Sequence, residues 1–136
     1  MTPDPRSVAI GPVTVGDGAP LALIAGPCQL ESLDHALMIA ETMADTAAKA
    51  GFGYIFKGSY DKANRTSLSG KRGLGMEKGL EILEEVRARF GCPVLTDVHS
   101  PDQCAKVAEA VDVLQIPAFL CRQTDLLLAA GETGRA

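Results

Sequence analysis

The chain has 136 residues, with 13 Lys and Arg against 17 Asp and Glu, for a formal net charge of −4. That balance gives no global attraction for nucleic acid or an anionic membrane surface, so any affinity for phosphate must come from a local cluster of cations. The length suits one domain, and a sequence that is 46% hydrophobic but 4% aromatic, with no Trp, must build its core from aliphatic side chains.

In chain order, residues 7 to 15 alternate on either side of Gly11-Pro12 and predict a small hairpin, after which Gly16-Asp17-Gly18 turns the chain. Leu21 to Ala25 is an apolar run too short for a helix and bounded by Gly26-Pro27, so it predicts a buried strand. Ser32 is an N-cap candidate. Leu33, Ala36, Leu37 and Ala40 behind it fall at helical spacing, and Gly51 stops the helix. Tyr54-Ile55-Phe56 starts a second strand, followed by a polar loop from about Asp61 to Gly75. Met76, Leu80, Leu83, Val86 and Phe90 form the stripe of a second helix closed by Gly91.

Val94 to Val98 predicts a third strand. Ser100-Pro101-Asp102-Gln103 is a helix start, with a cap, Pro at the first position and acid in the first turn. Cys104, Val107, Ala108 and Val111 mark the buried face of that helix. Val113 to Ile116 is a fourth strand, and Thr124 to Ala130 a short fourth helix. The order is therefore a hairpin and then βα four times. Strands apolar on both faces and alternating with helices predict a parallel sheet, either doubly wound or part of a barrel.

The four cysteines, Cys28, Cys92, Cys104 and Cys121, have long, uneven gaps and no C-x-x-C pair, so neither a zinc ribbon nor a disulfide framework is signalled. No apolar run approaches the ~20 residues of a membrane span, and the N-terminus lacks the layout of a signal peptide. The expectation is a cytoplasmic protein with free thiols.

Polar residues collect at the tip of every predicted strand: Gly26-Pro27-Cys28, Lys57-Gly58-Ser59, Asp97-Val98-His99 and Gln115. Lys57 and Ser59 share a face, as do Asp97 and His99. Four successive strands that aim reactive groups at one region match a site at the C-terminal face of a barrel. The loop after the second strand carries Lys57, Lys62, Arg65, Lys71 and Arg72 against Asp61 alone. In an acidic protein this is either a solvated basic loop or an anion site, and Arg is shaped for bidentate phosphate contact. It is not a P-loop, because Gly70-Lys71 is followed by Arg72 where Ser or Thr belongs. The glycines from Gly73 to Gly79 also miss the dinucleotide spacing.

The stretches LIAGPCQLES, FKGSYDKANRTS, TDVHSP and QIPAFLCRQTDLLLAA resemble, in order and from about Leu21 onward, the 3-deoxy-D-manno-octulosonate 8-phosphate synthases. The DKANR element separates that group from the related heptulosonate phosphate synthases, which share the GPC element. The resemblance implies an α/β fold of the (β/α)8 TIM-barrel type. Residues 1–136 would then be the N-terminal half of one barrel domain, with hairpin and turn in 1–18 and the first four βα units in 19–136. It also implies a transferase that condenses phosphoenolpyruvate with D-arabinose 5-phosphate and water, releasing inorganic phosphate, in lipopolysaccharide biosynthesis.

Carried over by residue, the resemblance places Lys57, Ser59 and Gln115 in the phosphoenolpyruvate pocket and Lys62 between the substrates. Asn64 and Asp97 would bind the sugar hydroxyls, and Arg65 and Thr66 the sugar phosphate, Thr standing where the group usually has Ser. Lys62 and Asp97 are the implied catalytic residues. Arg122 would reach a neighbouring subunit's sugar phosphate, implying a homo-oligomer, a tetramer by resemblance. Cys28 would be a metal ligand of the metal-dependent branch, whose metal-free relatives carry Asn there. A thiolate suits a borderline divalent ion such as Fe, Mn or Zn, and the implied remaining ligands, a His, a Glu and an Asp, lie outside these residues. Without that motif, a lone Cys at a strand end reads as a small buried hydrophobe. Cys92, Cys104 and Cys121 are expected to be packing residues, and His35 a surface residue.

A closed barrel needs eight strands and about 250 residues, so the four βα units are expected to be inactive by themselves. Two alternatives stand beside the synthase. One is a sister enzyme that uses another aldose phosphate. The other is a non-catalytic half-barrel that binds a phosphate ligand or a partner.

Overall fold

The computed structural model describes residues 6–62, 68–69 and 73–136. Strands β1 (Ser7–Ile10) and β2 (Val13–Gly16) form an antiparallel hairpin, turned at Gly11 with φ 54°. The order that follows is β3 (Ala22–Ala25), α1 (Leu33–Ala50), β4 (Gly53–Lys57), α2 (Met76–Phe90), β5 (Val94–Asp97), α3 (Pro101–Ala110) and β6 (Val113–Gln115). A 3-10 turn (Ala118–Leu120) and α4 (Thr124–Glu132) complete the described elements. The sheet runs β3-β4-β5-β6, every neighbouring pair parallel. Parallel neighbours need a crossover, and the helix between each pair supplies it. This is the predicted α/β fold with a parallel sheet.

The helix ends show why these segments stop where they do. Ser32 accepts the His35 backbone N–H at 3.2 Å through its hydroxyl, capping α1. Gly51 at φ 75° turns its N–H back to the carbonyls of Ala47 and Ala48, which only a left-handed residue can do cheaply. Gly91 closes α2 in the same way, at φ 66°. The start of α3 departs from the sequence expectation. Ser100 occupies the cap position before Pro101, but its hydroxyl makes no cap bond. Leu33 differs too: it is 40% exposed, because the first residue of α1 lies beyond the edge of the sheet-facing stripe.

Alternation along the strands separates two cores. Tyr54, Phe56 and Val94, with Leu23, Ala25 and Leu114, pack beneath the helices against Ala36, Ala40, Leu83 and Val86. The other face carries Ile55 and Leu95, with Ala22 and Val113, and is covered by Ile10 and Val13 of the hairpin. The hairpin thus seals the sheet's second face near the strands' N-terminal ends. Asp112 fixes the end of β5 there, its carboxylate accepting the Val94 N–H at 2.9 Å with Arg87 3.6 Å away. Among the described residues, no helix is long and apolar enough to cross a membrane.

Candidate active site

Along β5 and β6 the register pairs Leu95 with Val113 and Asp97 with Gln115, while Lys57 of β4 is opposite Leu95. Side chains alternate with period two, so Lys57, Asp97 and Gln115 share the face of Ile55, Leu95 and Val113. They stand above the layer that the hairpin seals. Sequence spacing alone therefore puts polar groups on an apolar floor at the C-terminal edge.

Beyond the strand ends the chain tightens. Leu30 donates its N–H to the Ser59 carbonyl at 2.9 Å, and Val98 donates its own to the Gln115 carbonyl at 3.1 Å. Ser59 is 1% exposed and Asp97 7%. The Ser59 hydroxyl hydrogen-bonds the Asp97 carboxylate, and His99 Nε2 approaches Asp97 Oδ2 at 3.0 Å. Residues from β4 and β5 thus converge on one carboxylate.

Burial alone would raise the pKa of Asp97, but hydrogen bonds from His99 and Ser59, with the adjacent imidazole, outweigh it and hold the carboxyl below its ordinary value. Asp97 Oδ1 and His99 Nδ1 are buried without a hydrogen-bond partner among the described residues. A buried acceptor left unsatisfied is costly, so this carboxylate is poised to accept from a hydroxyl or ammonium donor. A depressed carboxyl pKa contributes stability that is present above the unfolded value and lost as pH falls through the folded one. The expected result is a loss of stability as pH drops below the ordinary Asp value of 3.8. Urea unfolding at a series of pH values should show a shallower acid slope for Asp97→Asn than for the unaltered protein. Equal slopes would mean that Asp97 is not held ionised by these contacts.

Other expected site residues are placed less closely. Lys57 and Gln115 are half-buried at the ends of β4 and β6, and Lys62 is half-buried at the root of the loop. Asn64, Arg65 and Thr66 lie outside the described residues, as do Lys71 and Arg72. Arg122 is exposed just after the 3-10 turn. All four cysteines are free, and Cys28 is exposed rather than a buried hydrophobe. Cys92 and Cys104 are buried packing residues whose thiols burial pushes up. Cys121, expected to pack, is exposed instead, because the 3-10 turn carries it to the surface. Among the described residues no group of three or more His, Cys, Asp or Glu side chains could hold a metal ion. Catalytic ions generally need about three protein ligands, so Cys28 is at most one of a set.

The sequence reading missed Tyr60 and Gln103, which stand directly behind Asp97 and His99. Gln103 Oε1 accepts the His99 N–H at 2.8 Å and the Tyr60 hydroxyl at 2.9 Å. The one sequence signal was Gln at the third position after Ser100, a capping-box spacing. A cleft of about 610 Å³ between α3 and α4 lies elsewhere, and small residues such as Ala105, Ala108 and Ala129 line it. It is a seam between helices, crossed by the Arg135 Nε–H that donates to the Ala108 carbonyl at 2.8 Å.

The protein named 2-dehydro-3-deoxyphosphooctonate aldolase from Brucella ovis is 57% identical over 129 residues, which cover 95% of this chain and 47% of the relative. The protein of the same name from Brucella melitensis matches to the same extent. The one from Rickettsia bellii is 56% identical over 130 residues, covering 96% of this chain and 47% of its own length. The chain spans about half the length of the curated relatives it matches. Residues 5–136 match the family described as the DAHP synthetase I family, and the chain belongs to that family.

Proposed function

We propose that the protein to which these residues belong is a (β/α)8-barrel transferase that condenses phosphoenolpyruvate with D-arabinose 5-phosphate and water. The products are 3-deoxy-D-manno-octulosonate 8-phosphate and inorganic phosphate. The observation that carries this reading is the convergence of Ser59, Asp97 and His99 beside Lys57 and Gln115 on one edge of a parallel sheet. The name of the relatives supports the choice of reaction.

In this reading the residues 1–136 are one half of the barrel domain. Two features support it. The Leu114 N–H on the outer edge of β6 donates to the Ala136 carbonyl at 2.9 Å, as it would to an adjoining fifth strand. On the sealed face Ile24 is 48% exposed, which suits a surface that further strands cover.

The chemistry is mainly electrostatic and positional. Two anionic esters repel each other, and fixed cations offset that repulsion. Lys57, Ser59 and Gln115 hold the carboxylate and phosphate of phosphoenolpyruvate, and Lys62 stands between the substrates. Asp97 and Asn64 accept from the sugar hydroxyls, while Arg65 and Thr66 hold the sugar phosphate. The enol carbon then forms the new bond to the aldehyde carbon, and water adds at the carbon bearing the phosphate, whose oxygen bond breaks as phosphate leaves. Holding the two carbons in contact lowers the barrel's barrier by several kcal/mol. Cys28 is proposed as one ligand of a divalent ion, which when bound polarises an oxygen or activates water. Arg122 is proposed to serve a neighbouring subunit of a cytoplasmic homotetramer.

The test is phosphate release from phosphoenolpyruvate, assayed with a panel of aldose phosphates. The expected result is turnover dependent on arabinose 5-phosphate by a polypeptide continued to the relatives' length, and none by residues 1–136 alone. Preference for another aldose phosphate would favour the sister enzyme, and no turnover with any would overturn the reading.

A further inference from the structure

We infer that Gln103 and Tyr60 form a brace that positions the aldose-phosphate half of the site, tying the root of the 61–75 loop to Asp97 and His99. This rests on the proposed condensation and adds two positioning residues to it.

Gln103 lies in the first turn of α3, where a capping-box residue would reach back to the cap N–H. Here its Oε1 bonds one residue further back, to the His99 N–H at 2.8 Å, and accepts the Tyr60 hydroxyl at 2.9 Å as well. The backbone donor fixes which amide atom faces inward, because an NH₂ group has no acceptor to offer it. Both lone pairs of one oxygen are therefore used, one by the β5 tip and one by the β4 tip.

Tyr60 is held on its other sides too. It is 1% exposed, and its carbonyl accepts the Gly75 N–H at 3.3 Å. A Cβ on Gly79 would stand 2.3 Å from the Tyr60 Cβ, so the ring root sits against bare helix backbone. Its ring meets that of His99 edge-on at 6.1 Å. Asp61 and Lys62 follow directly in the chain. The brace thus holds the chain just before Asp61 and Lys62, and fixes the backbone of His99, whose Nε2 stands 3.0 Å from the Asp97 carboxylate proposed for the sugar hydroxyls. Lys57 and Gln115 stand on strands and need no such support. The brace should accordingly govern one substrate more than the other.

The experiment uses the full-length protein with Gln103→Leu, Gln103→Glu and Tyr60→Phe. Gln103→Leu is expected to raise KM for arabinose 5-phosphate roughly ten-fold, equivalent to about 1.4 kcal/mol, and to change KM for phosphoenolpyruvate less than about two-fold. Gln103→Glu keeps the acceptor and is expected to restore the sugar KM to within about three-fold, with Tyr60→Phe between the two. Equal effects on both substrates, or a lowered Tm with unchanged KM values, would overturn the inference in favour of a merely structural contact. Hydrogen exchange at the His99 amide gives a reading independent of activity. It should accelerate in Gln103→Leu relative to the Val94 amide, and unchanged protection would equally defeat the brace. Failure of the unaltered protein to condense the two substrates would instead count against the proposed reaction, with the exchange result still deciding the brace.

Discussion

Replacing Lys57 by Met in the full-length protein is expected to lower kcat/KM by about 10²–10³-fold, the range found when one fixed donor to developing charge is removed. The side chain stands at the end of β4, opposite Leu95 and half-buried. Met keeps most of the aliphatic stem and its packing while deleting the charge, so the loss reports electrostatics rather than a cavity. The proposed role places the ammonium against phosphoenolpyruvate, so KM for that substrate should rise more than KM for the sugar phosphate. Steady-state kinetics with each substrate varied in turn would check this. A loss below about ten-fold would remove Lys57 from the site, because a fixed cation against developing charge contributes more than that.

The largest structural effect is expected at Gly26. An ideal Cβ there would lie 1.7 Å from the Lys57 carbonyl oxygen, 2.8 Å from its carbon and 3.0 Å from its nitrogen. All three atoms are backbone, so no rotamer change can make room, and β3 would have to part from β4. Gly26→Ala is expected to cost about 3 kcal/mol or more, measured by urea unfolding, and to displace Lys57 with it. Gly53 offers the control. The three atoms nearest a Cβ there all belong to the Val13 side chain, the closest at 2.8 Å, and a side chain of the hairpin can yield more than the sheet backbone. Gly53→Ala should therefore cost clearly less. Equal costs would show that the tips of β3 and β4 do not approach as closely as described.

The elements were legible in the sequence because each carries its own punctuation. Ser32 and Gly51 bracket α1, Gly91 ends α2, and the apolar runs between were too short for helices. Of the strands they form, β4 and β5 are buried as expected, whereas β3 and β6 at the sheet edges are not, with Leu21 71% and Ile24 48% exposed. Much of the edge was legible for the same local reason: Lys57 and Gln115 are the first polar residues after apolar runs, Asp97 is the first charged one after Val94-Leu95-Thr96, and period two assigns their face. What escaped was tertiary wiring. Gln103 stood in the sequence only as part of a helix start, and its partners Tyr60 and His99 are named only by the packing of β4 against β5 and α3. Leu33 was misjudged because helical spacing says which residues share a stripe but not where the sheet beneath it ends, and Cys121 because no sequence signal marked the 3-10 turn that exposes it. The roles of Asn64, Arg65 and Thr66 rest on the motif resemblance.

The hairpin has an electrical consequence as well as a mechanical one. With Ile10 and Val13 packed against Ile55 and Leu95, little solvent can polarise in response to charge from that direction. Fields from Lys57 and Asp97 are therefore damped less on the side that the hairpin covers than toward open solvent. A minor terminal ribbon that touches no reactant in this way strengthens each ionic contact made above it.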